Sequence, residues 1–190
     1  MNKLSDPKFT GVLWLVLRLW LGYQWITAGI GKLFGPGSAV WVGDNAGAAV
    51  KGFLGGALAK SPLAPGFDPA ATPNPAVQEW YATLVRDFFL PNATLFSYLV
   101  AYGEFLVGLA LILGIFTRFA ALMGVLMNLA YLLAGTTSTN PQMLVAGLVI
   151  ALSGGIAVGY YGLDYFARPI SEKVQQRAFG KLLPRPQATA

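Results

Sequence analysis

The chain has 190 residues, 55% of them hydrophobic and only 11% charged, where a soluble domain carries about 25% charged residues. With a mean hydropathy of +0.57 and apolar residues gathered in long blocks, the composition excludes an ordinary soluble protein and points to bilayer-spanning segments. No Cys or His is present, which removes the ligands for thiol redox chemistry, Cys-ligated iron–sulfur clusters, His-ligated haem and the usual zinc sites. The net charge of +5 comes from cations that flank the apolar blocks, so it follows membrane topology and not nucleic-acid binding.

The N-terminus, Lys3 and Lys8 before an apolar run, looks like a signal peptide, but Arg18 lies inside the run and no cleavage site of the usual length follows, so it reads as a retained first helix. Four blocks are long enough to cross a hydrocarbon core of about 30 Å: residues 9–33, 93–115, 118–135 and 142–163. The expected fold is therefore an all-α membrane protein, a four-helix transmembrane bundle within residues 1–167, followed by a basic cytoplasmic tail at 168–190. Short turns at Phe116–Thr117 and Gly135–Pro141 make successive helices antiparallel neighbours. Lys3, Lys8, Arg118, Arg168, Lys173, Arg177, Lys181 and Arg185 fall on one side, which predicts cytoplasmic termini and an outer loop at 34–92, in the inner membrane of a bacterium. Within that loop, 46–58 and 77–88 have amphipathic helical spacing, the second with Asn74 as cap and Pro75 at its first position, and they are expected to lie on the bundle or the bilayer surface.

Ionisable groups inside the spans are the strongest functional signal. Counted from the inner helix ends, Arg18 and Glu104 stand about 14 and 15 Å deep, and two opposite charges at matched depth are expected to pair. Asn128 and Ser153 fall near the same level, so all four helices contribute to one polar layer, read either as a structural lock or as a proton-relaying, head-group-orienting site. On the first helix Gly11, Arg18, Gly22, Trp25, Gly29 and Lys32 share one face within about 40°, which predicts an inward face with Trp25 as a cleft wall and Lys32 at its outer mouth. Gly147, Ala151, Gly155 and Gly159 form a small-residue seam on the fourth helix, for packing within the bundle or on a partner. Most aromatics, Trp41, Trp80 and Tyr81 among them, fit an interfacial belt. Tyr98, Tyr102 and Tyr131 lie deeper and are candidates to line a quinone-type pocket, and Asp164 is expected to pair with Arg118 or Arg168.

Several runs carry a resemblance: Arg18, Gly22, Gly29 and Lys32, then GEFLVGLALILGIFTRFAA at 103–121, MNLAYLLAGTTSTNP at 127–141, and GLD at 162–164. Together they resemble the DoxX family of small bacterial four-helix membrane proteins, in particular its DoxD-like branch, the membrane subunit of thiosulfate:quinone oxidoreductase. The resemblance implies a subunit that works with a DoxA-like partner to oxidise thiosulfate on the outer face and pass electrons to quinone, with Arg18, Lys32, Glu104, Arg118 and Asn128 matching the family's polar pattern. On this reading Glu104 and Arg18 are the catalytic candidates, and Arg18, Trp25, Lys32, Tyr98, Tyr102, Glu104, Asn128 and Tyr131 are the candidates for binding quinone or another ligand. Lys32, Lys51, Lys60 and Arg86 would collect the anion. The alternative is a non-catalytic accessory subunit of a larger respiratory or photosynthetic membrane complex, with self-association left open. A transporter is weaker, since no inverted repeat or broken helix shows in the spacing.

Overall fold

The computed structural model of the chain describes residues 7–153 and 157–166, and all regular structure among them is helical. The helices are α1 (Pro7–Phe34), α2 (Ala48–Leu58), α3 (Glu79–Leu84, running on into a π-helical turn, Val85–Phe89), α4 (Ala93–Leu113), α5 (Thr117–Leu133) and α6 (Asn140–Leu152), with 3-10 turns at Ser38–Val40 and Ala157–Gly159. Only α4 is, among the described residues, both long and apolar enough to cross a membrane on its own, with a mean hydropathy of 1.9 over its most apolar stretch. The tail at 168–190 lies outside the described residues.

Two expected elements are corrected. The fourth block does not form one α-helix over 142–163: α6 ends at Leu152, where Ser153 turns to ψ 129° and closes its hydroxyl onto the Ile150 carbonyl at 2.6 Å. Gly154 and Gly155 follow in the sequence, and glycine disfavours a helix by about 1 kcal/mol per residue relative to Ala. The second loop helix starts at Glu79, behind an extended Gln78, and not at Pro75. The Val77 amide donates to the Lys60 carbonyl at 3.2 Å, which pins the preceding chain to the end of α2 and delays the helix.

Two apolar clusters hold the molecule together. One fills the bundle around Leu21, Trp25, Leu111 and Ile150. The other joins α2, α3 and the start of α4 through Leu54, Val77, Tyr81 and Val85, so the 34–92 segment forms a cap packed on one end of the bundle. The Tyr81 hydroxyl donates to the Ala130 carbonyl of α5 at 2.8 Å, and Ser97 of α4 donates to the Trp41 carbonyl at 2.6 Å.

Burial pushes the titration of the Tyr81 hydroxyl above its ordinary value of 10.0. Folding therefore favours the protonated phenol, and that contribution is complete below pH 10 and lost as pH rises through the raised folded value. Tyr81→Phe is expected to cost about 1 kcal/mol and to remove part of the alkaline loss of stability, measured as unfolding midpoints between pH 8 and 11.

The antiparallel register of α1 on α4 is set by glycines. A Cβ on Gly22 would meet Gly108 and Ile112, one on Gly29 the backbone of Phe105, and one on Gly108 the backbone of Ile26. This seam is where the two backbones approach most closely. Of the seam expected on the fourth helix, Gly147 packs inside the bundle on Val125 and Ala121 of α5, whereas Gly159 lies beyond the end of α6, against Asp164. Gly155 lies outside the described residues.

Candidate functional site

Glu104 is buried on α4, at the end of the bundle that carries the cap. Its carboxylate does not meet Arg18. Lys32, from the last turn of α1, donates to Oε2 at 2.5 Å, and the Tyr131 hydroxyl of α5 donates to Oε1 at 2.9 Å. The Lys32 ammonium also stands 4.9 Å from the Trp41 ring centre, a distance at which a cation is held by an aromatic face. Three helices thus converge on one charged centre, and both carboxylate oxygens are occupied.

Arg18 lies elsewhere. Its guanidinium is fully buried and donates to the carbonyls of Val158 at 3.3 Å and Tyr161 at 2.6 Å, beside the negative field of Asp164. A Cβ on Gly114 or Gly162 would run into this guanidinium, so both glycines make room for it. The expected Arg18–Glu104 pair is therefore absent, and the reason is axial register. The residue of α1 that faces the Glu104 level is Gly29, packed on Phe105. It lies eleven residues from Arg18, about 16 Å along a helix. Counting both charges from helix ends assumed that those ends lie in one plane, whereas the first turns of α1 extend past α4 and pack on Tyr160 and Tyr161.

Asp164 is likewise not paired with Arg118, which donates to the Ala151 carbonyl at 3.1 Å. Arg168 lies outside the described residues. The two oxygens of Asp164 accept the backbone N–H of Phe116 at 2.7 Å and of Thr117 at 2.9 Å, capping the start of α5. These N–H groups flank the left-handed backbone of Phe116 (φ 48°), a strained position that the cap stabilises. Asp164→Ala is expected to cost about 1–2 kcal/mol, in the range of a lost N-cap with its charge at a helix N-terminus, and Asp164→Asn about half of that, read from unfolding in mixed micelles. Arg18, Gly114, Thr117 and the Gly162–Asp164 run, all within the resembling segments, form a structural clasp at the end of the bundle away from the cap.

A cavity of about 310 Å³ lies between the charged centre and the cap. Its walls are apolar and aromatic, with Phe53, Tyr81, Phe89 and Phe96 among them, and Lys32, Glu104 and Tyr131 close one end, with Thr136 and Asn140 nearby. Of the expected ligand residues, Lys32, Glu104 and Tyr131 line this cavity. Trp25 is buried below them over Gly124, and Asn128 is buried in α5 with no partner for either amide atom among the described residues. Tyr98 and Tyr102 lie outside it, exposed on α4 with their rings stacked at 14°, Tyr98 donating to the Val42 carbonyl at 3.2 Å. At 100° per residue they are turned about 120° and 160° away from Glu104 on the same helix. Of the anion-collecting set, Lys32 is held by Glu104, Lys60 donates to the Gly135 carbonyl at 3.3 Å, and Arg86 makes two bonds to Asp87. The Arg86 guanidinium holds the exposed Asp87 carboxyl below its usual range.

The wall residues Trp41, Phe53, Tyr81, Phe89 and Phe96 were not foreseen as site residues. The available signal was the apolar stripes of the 46–58 and 77–88 segments, which include Phe53 and Tyr81 but say nothing about which surface they cover.

The sequence model of one family, DoxX, matches residues 13–137, which takes in most of α1, the cap, α4, α5 and the Lys32–Glu104–Tyr131 centre. The chain belongs to the DoxX family. DoxX proteins are membrane proteins, and the apolar α4 agrees with that. No curated protein and no solved structure gives a significant match.

Proposed function

We propose that this DoxX protein binds an elongated apolar molecule with one polar head, of the quinone type, in the cavity beneath the cap. The observation that carries the reading is the shape of the chemistry: aromatic walls closed at a single end by a buried ammonium, carboxylate and phenol. Lys32 has N–H groups beyond the one given to Glu104, and one of them can hold a carbonyl oxygen of the head. Glu104 and Tyr131 share a hydrogen bond in a place shielded from bulk water, where a proton can be held and passed on. A quinone bound there would take up two electrons and two protons.

The chain belongs, on this proposal, to an electron-transfer complex, as the DoxD-like resemblance implies, with four spans in a bacterial inner membrane and cytoplasmic termini. Electrons come from a partner, because this sequence offers no redox centre beyond Tyr and Trp. Thiosulfate oxidation takes place on that partner, since this chain offers no redox centre for it and three of the four cations expected to collect the anion, Lys32, Lys60 and Arg86, are already engaged.

The test is equilibrium binding of a short-chain quinone analogue to the purified full chain, followed by quenching of tryptophan fluorescence. Binding is expected in the wild type and is expected to fall at least about tenfold both in Val100→Phe, which fills the cavity, and in Glu104→Gln, equivalent to about 1.4 kcal/mol each. No binding, or binding that ignores Val100→Phe, removes the reading.

A further inference from the structure

A second cavity, of about 400 Å³, meets the same charged centre from another side. Glu104, Tyr131 and Asn140 line both cavities. The rest of the second wall is different in kind: Gln24 and Thr27 of α1 and Thr139 before α6 bring neutral polar groups, with Trp25, Ala28 and Met143 between them. A space of this size with several polar partners meets the conditions for holding ordered water, which needs room for about one probe sphere and two to four hydrogen-bonding groups.

An independent observation points the same way. Trp25 is 2% exposed, and its indole Nε1–H has no acceptor among the described residues. The indole lies against Gly124, one helical turn before Asn128, whose amide is fully buried with both polar atoms unpartnered among the described residues. A buried donor or acceptor without a partner costs about 1–3 kcal/mol, and such groups in native proteins find protein or water. Trp25 is itself a wall of the second cavity, so its unpaired indole N–H calls for water there; Asn128, one turn beyond Gly124 on α5, is not among the lining residues.

We infer that the second cavity is a water-filled chamber giving the Glu104 carboxylate access to aqueous protons on the side away from the apolar cavity. Glu104, with Lys32 and Tyr131 as its charged and titratable neighbours from α1 and α5, then stands between a dry compartment and a wet one. The use of those protons on a bound ligand rests on the proposed function, whereas the hydration of the chamber does not.

Hydroxyl-radical footprinting of the full chain in lipid nanodiscs tests it, because radicals born from water in the chamber oxidise the residues around it. Met143 lines the chamber and is 6% exposed, while Met127 packs at Gly103 and lines neither cavity. Met143 is expected to be oxidised about fivefold or more faster than Met127, since buried water and not surface exposure sets its rate. Ala28→Leu, which fills the chamber, is expected to bring Met143 down to the rate of Met127 with binding of the quinone analogue unchanged. Gln24→Leu gives a second variant with the same expected direction. Met143 labelled no faster than Met127 in the wild type overturns the inference, as does fast labelling that survives both variants. Fast Met143 labelling without quinone binding upholds the chamber and sinks the ligand reading alone.

Discussion

Lys32→Met is expected to destabilise the protein by about 3–5 kcal/mol, as for a buried carboxylate stripped of its partner, measured by unfolding in mixed micelles. The Glu104 side chain is 4% exposed and cannot turn to solvent, so without Lys32 it keeps only the Tyr131 hydroxyl. It must then remain charged without a counter-ion, with only the Tyr131 hydroxyl and neutral polar groups near it, or take up a proton, and either course costs free energy. The reverse change is milder. The Lys32 side chain is 19% exposed, stands at the end of α1 and already touches the face of Trp41, so after Glu104→Gln the ammonium can move towards water. That variant is expected to lose about 1–2 kcal/mol, a buried hydrogen-bonded charge pair reduced to neutral hydrogen bonds. The double variant Lys32→Met with Glu104→Gln is expected to be more stable than Lys32→Met alone, because it removes the stranded charge. Equal losses for the two single variants, or losses that simply add in the double, would show that the pair is not held as a buried unit.

The asymmetry explains what the sequence disclosed about this site and what it did not. Helical periodicity fixes rotation about an axis. It placed Gly11, Arg18, Gly22, Trp25, Gly29 and Lys32 on one inward face of α1, and each of the five from Arg18 on, like Gly11, contacts another part of the fold there. Periodicity says nothing about how far one helix slides along another. That slide, set by Gly22, Gly29 and Gly108 packing on the facing backbone, decides that Glu104 meets Lys32 and leaves Arg18 to the Gly162–Asp164 run. Lys32 is expected at the outer mouth of the cleft, but a lone terminal lysine also commonly anchors at the membrane interface, and nothing local names Glu104 as its partner. Trp41 and Tyr81 look like interfacial aromatics for the same reason. Their place beside the cavity depends on contacts such as Tyr81 to Ala130 and Ser97 to Trp41, made between residues about fifty apart in the chain, which no local pattern encodes. The existence of α4 and α5 was legible to within two residues because long apolar runs leave few alternatives, while the end of α6 depended on Ser153 and the glycines after it.

Gly108→Ala carries the second large effect. The added Cβ would lie 2.6 Å from both Cα and Cβ of Ile26, and neither is the end of a flexible side chain that can swing aside. The contact is reciprocal one turn away, where a Cβ on Gly29 would lie 2.7 Å from Cα of Phe105. Relief requires α1 and α4 to separate along their whole seam. Membrane helices associate through close packing, with no hydrophobic force between them to compensate for such a gap. The loss is expected to be about 3 kcal/mol or more, at or above the top of the usual range for overpacking. Separation also draws Lys32 away from Glu104, so binding of the quinone analogue is expected to fall with stability. Gly31→Ala is the control on the same helix: nothing lies within 4 Å of its added Cβ, and replacing a helical glycine by alanine is expected to be neutral or to stabilise by up to about 1 kcal/mol. If Gly108→Ala unfolds at the same denaturant concentration as Gly31→Ala, the register of α1 on α4 is not the one described, and the partner of Glu104 would have to be sought again.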